Sequence, residues 1–250
     1  MSTKGTISTT TIGRLRERRT IDGDPQSLRT ASLTAGVALL LLAVLAPVAT
    51  FIAIEPLVTA GDPAATVQGI LASEAQFRWG IAGLILVAVL DIVVAAALFT
   101  LFEPVNRSLS MMAAWFRLAY AAVYLVSISQ LVLALTLLGD ADQSLRAINA
   151  FDTIWHVALI LVGVHPLLIG YLAYRSGFMS KIIGLLLLVA GLGYVVDAFG
   201  AVLSAGYSLD ISRFTFVGEA VLIFWLLIKG RRMTGGQTTP HPANHELIAT

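Results

Sequence analysis

Residues 80–102 read GIAGLILVAVLDIVVAAALFTLF, an apolar run broken by a single charge, Asp91. An α-helix rises about 1.5 Å per residue, so a run of this length crosses the roughly 30 Å of hydrocarbon in a bilayer. Five further apolar stretches, Leu33–Leu57, Met111–Leu138, Ile154–Tyr174, Ile182–Leu203 and Phe214–Ile228, are separated by short polar breaks. The pattern predicts an all-α fold, an integral membrane bundle of six transmembrane helices.

The composition agrees, with 57% hydrophobic and 12% charged residues and a mean hydropathy of +0.85. A soluble domain carries about twice that charged fraction. A soluble bundle of these segments would leave several helices apolar on every face. The absence of cysteine excludes disulfides, thiolate metal sites, iron–sulfur clusters and cysteine nucleophiles. The polar leader before Leu33 is too long, and the apolar run after it too extended, for a cleaved signal peptide, so Leu33–Leu57 reads as a retained helix. Arg18-Arg19 lacks the apolar residue that a twin-arginine signal needs after the pair.

Placing the sixteen Lys and Arg residues on alternate sides gives a strong asymmetry. One side takes Lys4, Arg14, Arg16, Arg18, Arg19, Arg29, Arg107, Arg175, Lys181, Lys229, Arg231 and Arg232. The other takes Arg78, Arg146 and Arg213, with Arg117 inside the third stretch. Positive charge marks the cytoplasmic face, so both termini are expected in the cytoplasm and the protein in the inner membrane. Residues 1–32 then form a basic cytoplasmic tail, 33–229 the transmembrane domain and 230–250 a disordered tail. His241 and His245 in that tail read as incidental.

Two outer connections carry helix starts. Gly61-Asp62-Pro63 places an N-cap before a first-turn proline, and Val67, Ile70, Leu71 and Phe77 follow on one face, the pattern of a short interfacial helix. Gly139-Asp140 and Asp142 open a similar segment with Leu145 and Ile148, spacing that would fit a duplicated two-helix unit.

Ionisable groups at membrane depth cost several kcal/mol unless paired or wetted. Asp91 lies near the middle of the second span and Arg117 in the inner third of the third. Their heights differ by about 7 Å, which a long Arg side chain covers. They are candidates for a structural ion pair, the alternative being an Arg117 that snorkels to the interface. His156 and His165 sit on opposite faces of the fourth span, where Pro166 is expected to kink the helix. His156 shares a small-residue stripe with Gly163 and Gly170, and Asp197 another with Gly193 and Gly200, so both are expected to face protein. His156, Asp197 and Glu219, with Gln130, form a candidate outward-facing polar cavity; His165 is a further buried candidate.

Together Asp91, Glu103-Pro104-Val105-Asn106-Arg107, Phe116-Arg117, His156, His165, Gly170-Tyr171, Arg175-Ser176-Gly177, Gly191-Leu192-Gly193-Tyr194 with Asp197, and Gly218-Glu219 form a recognisable series. The series resembles the bacterial membrane-protein family "domain of unknown function 4386", over about Leu33 to Gly230. The resemblance implies a multi-helix membrane protein and supplies no substrate, cofactor or reaction.

The cavity reading makes the protein a binder or conductor of a small ligand, cation or proton. An intramembrane metal-dependent hydrolase is the alternative, with His156, Asp197 and Glu219 as zinc ligands. A non-catalytic accessory subunit of a membrane complex is the third. The chain lacks a GxSxG elbow, a P-loop and a dinucleotide fingerprint, so the balance falls against an enzyme. Haem would need axial histidines on facing helices, and both membrane histidines lie on one. No cofactor is required. The bilayer is the expected partner and nucleic acid is not; a homodimer would supply the second half of an inverted repeat that the chain lacks.

Overall fold

The computed structural model describes residues 25–204, 211 and 216–230. All regular structure among them is helical. Helix α1 spans Pro25–Pro47 and continues through a π-helical segment, Val48–Ile54, into a 3-10 turn, Glu55–Leu57. Then follow α2 (Pro63–Ala72), α3 (Glu74–Phe102), α4 (Arg107–Thr136), α5 (Ala141–Ser176), α6 (Lys181–Leu203) and α7 (Val217–Ile228).

Local chemistry sets the boundaries. Asp62 caps α2 by accepting from the Ala65 amide at 2.9 Å, and Pro63 opens the helix. Asn106 caps α4 through the Leu109 amide at 3.0 Å. Asp140 caps α5 through the Gln143 amide at 3.1 Å. That backbone amide, together with the Gln143 side chain, holds the Asp140 carboxyl below the usual carboxylate range. Gly177 ends α5 at φ 75°, a left-handed conformation that glycine adopts without strain.

Five helical segments are long and apolar enough to cross a membrane: Gln26–Leu57, Glu74–Phe102, Arg107–Thr136, Ala141–Ser176 and Lys181–Leu203. Helix α7 is apolar but has 12 residues. The expected start of the last span, Phe214, lies outside the described residues, as do Arg14–Arg19, Arg213, His241 and His245. Several boundaries differ from the expected ones. Helix α1 starts at Pro25, ahead of Leu33, and α4 starts at Arg107, ahead of Met111. The segment after Gly139 continues without a break into α5, which runs on through Pro166 although that residue has no backbone N–H to donate. Only the first outer segment forms a separate short helix, α2.

The helices close a ring. Helix α1 packs on α3 and α7, α3 on α4, α4 on α5, α5 on α6, and α6 on α7. Without a hydrophobic force between helices in lipid, close backbone approach and interhelical hydrogen bonds hold such contacts. A Cβ added at Gly170 of α5 would lie 2.7 Å from the Gly184 carbonyl of α6, and one at Gly191 of α6 would lie 2.7 Å from the Gly163 carbonyl of α5. Serine hydroxyls tie other pairs: Ser32 donates to the Leu226 carbonyl at 3.1 Å, Ser110 to Phe99 at 2.9 Å and Ser127 to Phe151 at 2.7 Å. The outer faces carry exposed Ile85, Leu86, Val89, Leu125, Val126, Leu185 and Leu192. An apolar exterior of this kind suits a lipid surround.

The π-helical stretch has no sequence signal that we recognise. It shifts backbone carbonyls out of register, and Gln76 of α3 donates its side-chain amide to the Ile52 carbonyl at 3.0 Å.

Two apolar cores fill the ring. One gathers Leu39, Leu98, Phe102, Leu172, Leu187 and Leu226. The other gathers Ile70, Phe77, Leu84, Leu131, Ile148 and Phe151. Along α3 the second core ends at Ala88 and the first begins at Val94, with Asp91 between them. Along α4, Arg117 falls between Ala113 and Tyr120, and along α5, His165 falls between Ala158 and Ile169. A polar layer therefore separates the cores.

Candidate functional site

Helix geometry brings this layer to one level. At 1.5 Å per residue, Asp91 lies about 16 Å from Phe102, Arg117 about 15 Å from Arg107 and His165 about 16 Å from Ser176. Glu219 lies about 14 Å from Ile228 at the same end of the bundle. Four helices thus present ionisable groups within a few ångström of one height.

Arg117 Nη2 meets Asp91 Oδ1 at 2.6 Å. The two residues are 5% and 2% exposed, and His165 is 3% exposed. Arg117 Nε has no hydrogen-bond acceptor among the described residues. His165 Nδ1 lies 2.9 Å from the Ala113 carbonyl, which can only accept, so Nδ1 carries the proton. In a neutral ring Nε2 then keeps an acceptor lone pair. Glu219 is partly buried, hydrogen-bonded to the Tyr194 hydroxyl, and within electrostatic reach of both Arg117 and Asp91. Tyr120 lies within electrostatic reach of Asp91, accepts from Trp155 Nε1 at 3.2 Å and stacks on Tyr124 at 5.6 Å between ring centroids. Arg117, His165 and Glu219 are the ionisable lining of a cavity of about 10 Å³, otherwise walled by residues such as Leu39, Leu98 and Leu222.

The arrangement differs from the outward cavity expected from His156, Asp197, Glu219 and Gln130. His156 is half-buried and its Nδ1 donates to the Asp152 carbonyl of its own helix at 2.7 Å. Asp197 is buried and accepts from the Ile211 amide at 2.9 Å. Gln130 lines an open groove of about 520 Å³ at the other end of the bundle, with Asp140, Asp142 and Arg146. Glu219 alone of the four joins the central layer. The zinc set of His156, Asp197 and Glu219 is accordingly not assembled: no group of three or more metal-ligating side chains converges among the described residues.

Tyr194 and Tyr120 also belong to the site, through the Tyr194 bond to Glu219 and the proximity of Tyr120 to Asp91. Their height is the signal that could have found them: both lie about 20 Å along their helices from Lys181 and Arg107, one turn beyond the ionisable layer.

The sequence profile of a family described as "Domain of unknown function (DUF4386)" matches residues 34–230. An uncharacterized protein of Archaeoglobus fulgidus is 34% identical over 162 residues, spanning 65% of this chain and 90% of the relative. That relative is archaeal, a wider range than the bacterial one the resemblance implied. No solved structure matches the chain.

Proposed function

This chain belongs to the family described as Domain of unknown function (DUF4386), and from the layer at its centre we propose that it is a proton-exchanging membrane protein, a conductor of protons or a carrier driven by them. The observation that carries this reading is the charge count. One guanidinium, Arg117, faces two carboxyl groups, Asp91 and Glu219, inside an apolar ring. Burying a net charge is expensive, and a neutral cluster holds one proton shared between the two acids. Asp91 is engaged directly by Arg117, so Glu219 is the group that gives up and regains the proton.

Magnitude favours a proton over a larger solute. Pockets for small molecules usually measure about 300–1,000 Å³, and the central cavity offers about 10 Å³. The groove around Gln130 has the volume for a solute, but it is open and lies apart from the buried charges.

In this reading α1, α3, α4, α5, α6 and α7 each cross the cytoplasmic membrane of a prokaryotic cell, and both termini lie in the cytoplasm. The contacts of α7 with α1 and α6 support six crossings, and the lysine and arginine asymmetry supports the orientation. A scaffold or accessory role is the second reading, favoured by the many internally satisfied polar contacts. The two separate in liposomes that hold the purified chain under a pH gradient, with internal pH followed by a dye. Proton flux present in the native protein and lost in Glu219→Gln supports exchange; flux no greater than that of empty liposomes supports the scaffold, and equal flux in both takes the exchanging role away from Glu219.

A further inference from the structure

We propose that the central cavity is a binding site for one water molecule, held by Arg117, His165 and Glu219 from three different helices. This site deepens the reading of the cluster as the working centre, and its existence rests on the cavity that the three residues line.

The volume sets the size of the occupant. A cavity of roughly 10–15 Å³ is enough to hold one water, and this cavity measures about 10 Å³. The hydrogen-bonding groups set its chemistry. Arg117 Nε is a buried donor without an acceptor among the described residues, and leaving a charged donor unmatched is costly. His165 spends its Nδ1 proton on the Ala113 carbonyl and offers a lone pair at Nε2. Glu219 offers carboxyl oxygens.

One donor and two acceptors match a single water, which accepts from Arg117 Nε and donates to His165 Nε2 and Glu219. Three bonds are what buried waters typically make. A metal cation would meet the guanidinium, and an anion would meet the Glu219 carboxyl. Neither fits the set as water does. The site joins α4, α5 and α7 across the ring and supplies Glu219 with a hydrogen-bonded neighbour.

The test is solid-state NMR of the full chain in lipid, following magnetisation transfer from water to the Arg117 Nε–H. A transfer peak at Arg117 Nε, together with a His165 Nε2 shift of an accepting nitrogen, is expected. In Leu222→Phe, which fills the cavity from α7, the peak should vanish while the Arg117–Asp91 contact persists. No transfer in the native chain overturns the site, as does transfer that survives Leu222→Phe with the cavity filled. Proton flux without bound water would leave the proposed function standing and this site refuted; bound water without flux would do the reverse.

Discussion

Arg117 and Asp91, on adjacent helices, meet at 2.6 Å in the middle of the bundle, yet the Arg117 Nε next to that contact has no acceptor among the described residues. The guanidinium is therefore divided between a structural pair and the lining of the cavity it shares with His165 and Glu219. That division lets one residue hold the helices and set the electrostatics of the centre.

Breaking the pair from one side should be worse than removing it altogether. Removing one member of a buried ion pair typically costs about 3–5 kcal/mol, because the other charge is stranded. Asp91→Ala and Arg117→Ala should each lower thermal stability in detergent by that order. The double change Asp91→Leu with Arg117→Met should recover most of the loss, read as the melting temperature of the three variants.

Height along a helix explains what the sequence disclosed about this pair. Spacing in the sequence predicts the contact across about 7 Å because the third apolar stretch begins at Met111, whereas α4 starts at Arg107 and the two residues are nearly level. The expected outward-facing cavity includes Glu219 because the last apolar stretch begins at Phe214, whereas its distance from Ile228 sets it at the central level. Charge and apolar length were legible throughout. The partners of His156 and Asp197 were not, because a bond to an own-helix carbonyl or to the backbone amide of Ile211 leaves no pattern in residue spacing.

Helices α5 and α6 should tolerate no bulk at their crossing. A Cβ at Gly184 would lie 2.7 Å from the Gly170 carbonyl and 2.7 Å from the Tyr174 amide nitrogen, both backbone atoms that have no rotamer to escape into. Gly184→Leu should cost about 1–3 kcal/mol or more. Gly139→Ala, where nothing lies within 4 Å, should leave the melting temperature unchanged.

The cap on α5 carries a pH signature. The Asp140 carboxyl is held below the usual range, so its contribution is complete above the ordinary carboxylate value of about 3.9 and is lost as pH falls through the lower folded value. Amide exchange at Gln143 should stay protected from neutrality down to about pH 4. Asp140→Ala should lose that protection at every pH, with the rest of α5 unaffected.

Orientation is directly accessible because the chain has no cysteine of its own. Ser108→Cys and Gly139→Cys place single thiols at opposite ends of α4. In intact cells a membrane-impermeant maleimide should label Gly139→Cys and spare Ser108→Cys until the membrane is opened. Labelling of Ser108→Cys alone would invert the topology.

The most direct test of the central claim is infrared spectroscopy of the protein in lipid, looking for the carbonyl band of a protonated carboxyl that shifts on exchange into heavy water. We expect such a band in the native chain and its loss in Glu219→Gln, with the Arg117–Asp91 pair intact. A native spectrum without an exchangeable protonated carboxyl, or one that Glu219→Gln leaves unaltered, would contradict that claim.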